Sequence, residues 1–253
     1  MNIRYVPAAL AGAALLWIAT PAPAQSPALR VLAGNGVKAV MDDVRAEAER
    51  AVGRPLNIEY STSASFKKRI EAGEAFDVTV IANDAVADLT KQGKLAPGGH
   101  NVARAGVGMG ARAGATKVNI ANADAFKQAM LNAKSVALTV DGASRATSEK
   151  AFERLGIADA MRPKIKLYPA GKAPEGVVNG EAEYILTLIS EIVPVKGLQL
   201  LGPLPGDLQN YTTMASAVSP NSKNAAAAKA LVDFLNRPTI TPTIKKHGME
   251  RVE

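Results

Sequence analysis

Leu29-Arg30-Val31-Leu32-Ala33-Gly34-Asn35-Gly36-Val37-Lys38-Ala39-Val40-Met41-Asp42-Asp43-Val44 is the most informative passage of the chain. Leu29 to Ala33 is a compact apolar run of strand length, Gly34-Asn35-Gly36 is turn chemistry, and Val37, Val40, Met41, Val44, Ala48 and Val52 then recur at helical spacing up to a stop at Gly53. Strand, tight loop and helix in that order form one unit of an α/β protein with largely parallel strands. A second unit follows at once. Leu56, Ile58 and Tyr60 alternate as a strand, Ser61 to Ser65 form a polar loop, and a short helix runs from Phe66 to Ala72. Val78, Val80 and Ile81 make a third strand, with Asn83 or Asp84 placed to cap the next helix.

The Gly- and Ala-rich passage from Pro97 to Gly114 reads as an extended crossing. Beyond it the same alternation resumes: a helix around Phe126 and Met130, a strand Val136 to Val140, and a loop Asp141 to Thr147 feeding a helix through Phe152. After these come a strand at Ile165 and Leu167, a helix ending near Gly180, and an apolar strand Tyr184 to Ile189. Tyr211 to Val218 reads as the return crossing, and two closing helices span Ala225 to Leu235 and Thr239 to Lys246. The expected architecture is α/β, with two lobes, mixed and mostly parallel sheets, and a ligand cleft between the lobes; the alternative is a single open α/β sheet. Residues 25–103 form the first part of lobe 1, residues 104–210 form lobe 2, and residues 211–253 carry the return crossing and the helices that complete lobe 1.

Residues 1–24 read as an address. Arg4 precedes an apolar run from Val6 to Ala19, and Ala22-Pro23-Ala24 supplies small residues for cleavage before Gln25, so the expectation is an exported, periplasmic protein with a cleavable signal peptide. The run is shorter than the roughly 20 residues that span a bilayer.

Composition excludes several chemistries. The 253-residue chain has no cysteine, hence no disulfide, thiolate metal site or cysteine nucleophile, and its two histidines, His100 and His247, are too few for most catalytic zinc sites. His247, in Lys245-Lys246-His247-Gly248, reads as a helix C-terminal cation. The net charge is +7, but aromatics are only 4% of residues, so stacking platforms for nucleic acid are lacking. No phosphate loop, Gly-x-Ser-x-Gly elbow or His-Glu-x-x-His motif occurs. No cofactor, metal or nucleic-acid partner is expected, and a monomer is.

In open α/β sheets ligands sit beyond the carboxyl ends of strands, where loops feed helix N-termini. Loops 34–38, 62–67, 144–148 and 170–175 each combine small or hydroxyl residues with a cation: Lys38, Lys67, Arg145 and Lys172. Free N–H groups at helix starts, with Ser and Thr hydroxyls beside them, suit capture of an anion. The candidate ligand-binding residues are Asn35, Gly36, Lys38, Thr62, Ser63, Ser144, Arg145, Thr147, Lys172 and Leu188.

The passages Val31-Leu32-Ala33 through Val44, Ser61-Thr62-Ser63-Ala64-Ser65 into Ile70-Glu71-Ala72-Gly73, Asp77-Val78 to Ile81-Ala82-Asn83-Asp84, Ala230 to Leu235, and Lys246-His247-Gly248 together resemble the type II periplasmic solute-binding proteins, specifically their molybdate-binding branch. The resemblance covers nearly all of the chain after residue 24. It implies a lipid-free or tethered receptor that closes two lobes on an oxyanion and delivers it to an ABC permease in the inner membrane. It also implies positions for the ligand contacts. The family's first-loop serine falls near Gly36, its second-loop serine on Ser63, its third-loop backbone donor near Thr147, its fourth-loop donor around Ala170 to Lys172, and its tyrosine near Leu188. Only Ser63 matches in side chain. Together with Arg145 and Lys172, that departure favours a carboxylate or larger acid over molybdate. Binding without catalysis is the main expectation. The alternative is an aconitate-isomerase-like enzyme on the same scaffold, acting on a tricarboxylic acid with Glu175, Asp141 or Tyr211 as candidate base.

Overall fold

The computed structural model describes residues 1 and 27–252; the expected signal peptide therefore lies outside the described residues apart from Met1. Among the described residues there are nine strands and nine α-helices. In order they are β1 (Leu29–Gly34), α1 (Lys38–Val52), β2 (Leu56–Ser61), α2 (Ser63–Glu71), β3 (Val78–Ala82), α3 (Asn83–Lys91), β4 (His100–Arg112), α4 (Ala123–Asn132) and β5 (Val136–Thr139). There follow α5 (Ala143–Arg154), α6 (Ala158–Met161), β6 (Ile165–Tyr168), α7 (Ala173–Val178), β7 (Tyr184–Leu188), β8 (Leu198–Pro203), β9 (Tyr211–Val218), α8 (Ala225–Leu235) and α9 (Thr241–Lys246).

The strand order is β2-β1-β3-β9-β4-β7-β5-β6, with β8 also paired to β4. β1 is parallel to β2 and β3, and β5 is parallel to β6 and β7. β9 is antiparallel to β3 and β4, and β4 is antiparallel to β7 and β8, so the sheet is mixed. The crossing is visible within one strand. β4 pairs with β9 from His100 to Gly106 and with β7 and β8 from Val107 to Arg112, so it belongs to one lobe at its start and to the other at its end.

Period-two burial builds three layers in each lobe. On β1, Val31 and Ala33 join the cluster containing Val40, Met41 and Val44 of α1 and Leu231 of α8, while Leu32 points to the opposite cluster with Phe66 and Ile70 of α2 and Leu89 of α3. On β5, Val136 and Leu138 pack with Phe126, Met130 and Phe152, and Ala137 faces Ala173 and Val177 of α7. α1 follows its sequence pattern closely. It ends at Gly53, whose φ of 71° is left-handed and whose N–H bonds the Glu49 carbonyl at 2.9 Å.

Three local expectations are corrected. α2 begins at Ser63, three residues earlier than the apolar pattern suggests, because the Thr62 hydroxyl accepts from the Ser65 N–H at 3.1 Å and caps the helix. α5 begins at Ala143, so Ser144, Arg145 and Thr147 stand in its first turns rather than in a loop; Ser144, Thr147 and Ser148 are buried, and a polar buried face gives no apolar periodicity to read. The cap of α3 is Ala82 rather than Asn83 or Asp84, and the Asp84 side chain instead accepts from the Ala85 N–H. β8 completes the antiparallel edge of lobe 2.

Candidate functional site

Parallel pairing places the carboxyl ends of β1 and β2 at one edge of lobe 1, and those of β5 and β7 at one edge of lobe 2. The two edges meet. Gly34, Asn35 and Gly36 at the end of β1, Thr62 and Ser63 after β2, Thr139, Gly142, Ala143 and Ser144 at the end of β5, and Leu188 and Glu191 at the end of β7 line one small cavity, completed by Thr212 and Met214 of β9. We call this cavity the nest. Its volume is about 30 Å³, and it lies where the first turns of α2, α5 and the 3-10 turn leading into α1 converge. Helix geometry leaves the first N–H groups of each turn without an intrahelical acceptor, so their partial positive charge converges there.

The hydroxyls divide by what they already do. Ser63 Oγ accepts from the Ala82 N–H at 2.9 Å, which leaves its own proton to donate. Thr62 is saturated: it accepts from Ser65 and donates to Asp141 Oδ2 at 2.9 Å, joining lobe 1 to lobe 2. Ser190, just outside the nest, is 3% exposed and its hydroxyl has no partner. A Cβ at Gly36 would sit 2.8 Å from Leu188 Cδ1, so a side chain there would require the tip of Leu188 to move.

Two larger pockets adjoin the nest. One, of about 620 Å³, shares Ala143 and Thr212 with it and is lined by Asn83, Thr147, Lys150, Arg154, Asn210 and Tyr211, among others. The other, of about 330 Å³, shares Asn35 and Glu191 and reaches Lys38, Asp42, Gly171 and Glu175. Asn35 spans the lobes, because its side-chain amide lies against Gly171.

Among the candidates named from sequence, Asn35, Gly36, Thr62, Ser63, Ser144 and Leu188 line the nest. Thr147 lines the 620 Å³ pocket, where its hydroxyl accepts from Asn210 at 3.4 Å. The cations do not line the nest. Lys38 pairs with Asp42, and Lys172 lies 3.0 Å from both Glu175 oxygens. Arg145 pairs with Glu149 at 2.8 Å, donates to the Val140 carbonyl at 2.7 Å and lines a separate depression with Phe152 and Arg162. Lys67 pairs with Asp88 on the surface. Glu191 and Lys150 had no motif to announce them. Glu191 is signalled only as a carboxylate in a 3-10 turn after an apolar strand, and Lys150 only by its place two turns into α5.

Of the candidate bases, Asp141 is engaged by Thr62, Glu175 by Lys172, and Tyr211 is 45% exposed with the Arg104 guanidinium 4.6 Å above its ring. His247 caps α9 and bonds Asp43 Oδ2 at 2.8 Å, away from the nest. Among the described residues no group of three or more His, Asp or Glu side chains could hold a metal ion, and no helix is long and apolar enough to cross a membrane.

Two α/β lobes joined by crossing strands, with helix N-termini aimed into the crevice between them, define a solute-binding protein. The model of the bacterial extracellular solute-binding protein family matches residues 29–250, and the chain belongs to that family. It is 29% identical over 251 residues to an aconitate isomerase of Pseudomonas sp., covering 96% of both chains. It is 26% identical over 235 residues to the molybdate-binding protein ModA of Azotobacter vinelandii, covering 89% of this chain and 90% of that one. Among solved structures, the periplasmic molybdate-binding protein of A. vinelandii superposes with a TM-score of 0.73 at 15% identity, over 89% of this chain and all of that chain. The sulfate-binding protein SubI of Mycobacterium tuberculosis gives 0.68 at 19% identity, over 90% and 88%.

Proposed function

We propose that the chain is the periplasmic substrate-binding component of an ABC-type importer, which captures a small anion between its lobes and presents it to a permease in the inner membrane. The carrying observation is the convergence of three helix starts and the free Ser63 proton on one nest. The nest is the room of about one water, so it suits one oxyanion or carboxylate head rather than a whole polyacid. The rest of a larger acid would lie in the 620 Å³ pocket, where Lys150 is in no ion pair among the described residues. The proposed ligand contacts are therefore Asn35, Gly36, Ser63 and Ser144, with Leu188 as an apolar wall and Lys150 as a distal cation. Export through residues 1–24 and a monomeric state belong to the same proposal.

A thermal-shift panel tests it. An anion present at 100 times its dissociation constant should add about 2.7 kcal/mol to stability. Stabilisation by molybdate, sulfate, citrate or aconitate, weakened in Ser63→Ala, supports the reading; a panel without any shift overturns it.

A second reading has its own observation. Glu191 brings a carboxyl to the nest, and the relative matching 96% of the chain is an aconitate isomerase. Such an isomerase needs a base that removes a proton beside a carboxylate and returns it to the other allylic carbon, with no change of oxidation state. Interconversion of cis- and trans-aconitate by the purified protein would establish it; binding without interconversion would leave the receptor.

A further inference from the structure

Glu191 ends the 3-10 turn Ile189–Glu191 that follows β7, and it lines both the nest and the 330 Å³ pocket. Its carboxylate receives one hydrogen bond, from Thr187 Oγ1 at 2.9 Å, and no cation pairs with it among the described residues. The charged groups around it are committed elsewhere. On α1, Lys38 and Asp42 bind each other; at the start of α7, Lys172 and Glu175 do; after β5, Asp141 holds Thr62. Beside it stands the unpartnered, buried hydroxyl of Ser190, 3.9 Å from where a Gly36 side chain would begin. A polar group so buried and unpaired is costly unless a ligand or water completes it.

An anion in the nest would face the half-buried Glu191 carboxylate at short range. Two like charges so placed repel strongly, and the proton balance shifts until one of them is neutral. We propose that the Glu191 carboxyl is part of the anion-binding surface and that the cleft takes up one proton there together with a fully deprotonated oxyanion. The neutral carboxyl then donates its O–H toward a ligand oxygen, adding to the donors of Ser63 and Ser190. Burial already pushes the Glu191 carboxyl up to about 7, against the opposing Thr187 bond, so the proton is close to balance near neutral pH. The inference rests on reading the nest as the anion site.

Titration calorimetry of the chain from Gln25 onward tests it, with molybdate, sulfate and trans-aconitate as probes, in buffers of differing ionisation heat between pH ~6 and ~9. The wild-type protein should take up about one proton per anion above neutrality and lose affinity by up to about tenfold per pH unit. Glu191→Gln should bind without proton uptake, show no such slope, and exceed the wild type at pH ~8. Thr187→Val removes the bond that favours the charged carboxylate, so its affinity loss should begin at higher pH. Binding without proton uptake in the wild type, or an unchanged slope in Glu191→Gln, overturns the proposal. Ser63→Ala separates the two layers: if it binds as the wild type does, or if no probe binds at all, the nest is not the anion site and the proton linkage falls with it.

Discussion

At the scale of single residues, contacts of a few ångströms give Gly36 and Leu188 their meaning. Gly36→Ser places a side chain 2.8 Å from Leu188 Cδ1, an overpacking expected to cost ~1–3 kcal/mol in urea denaturation. Leu188→Ala opens that space, so the double variant should be destabilised by less than the sum of the two singles. Ser63 was legible from sequence because a serine at a strand-to-helix junction has a stated chemistry, and its bond to Ala82 now shows which of its atoms is free. Glu191 was not legible. A carboxylate two residues past an apolar strand looks like any turn residue until tertiary packing surrounds it. Arg145 illustrates the converse. Its charge suited an anion, but its position on α5 turns it toward Glu149, on the same helix face four residues on.

Whole elements are held by small polar junctions. Thr62 both caps α2 and ties it to the loop after β5, so Thr62→Val should lose a cap worth about 1 kcal/mol and a charge-assisted bond of comparable or larger size. Thr62→Ser keeps the hydroxyl that makes both bonds and should unfold near the wild-type urea midpoint. At the other end of lobe 1, Asp43 on α1 accepts from Lys246 at 2.7 Å and meets His247 at 2.8 Å, fixing α9. The Lys246 hydrogen bond first, and the His247 bond next, hold the Asp43 carboxyl below its ordinary value. A depressed folded value means that the contribution is complete above the unfolded carboxylate value near pH ~4 and disappears as pH falls through the lowered one. Asp43→Asn should therefore flatten that part of the acid limb of a melting-temperature profile, modestly, because solvent screens the pair. Element boundaries were legible wherever apolar spacing ran to the helix start, as in α1, and illegible where hydroxyl caps or a polar buried face set it, as in α2 and α5.

For the molecule as a whole, one amide side chain braces the point where a crossing strand changes partners. Gln209 donates to the Val107 carbonyl and accepts from the Val107 N–H, both at 2.8 Å, at the point where β4 passes from β9 to β7. An amide so placed stands in for a missing strand residue, and Gln209→Ala should cost ~1–3 kcal/mol by chemical denaturation, with Gln209→Glu failing to restore it. Two lobes and two crossings were readable in the alternation of short apolar runs with helical spacing. The pairing of β8 with β4 was not, because Leu198 to Gly202 are all partly buried, with no alternation. The same connectivity bears on how the protein folds. The Arg104 N–H and carbonyl both bond Glu250, 146 positions further along the chain. Lobe 1 therefore closes only when distant stretches of sequence meet, and pairing of that kind has to meet the entropy of a long loop before any contact rewards it, which slows folding.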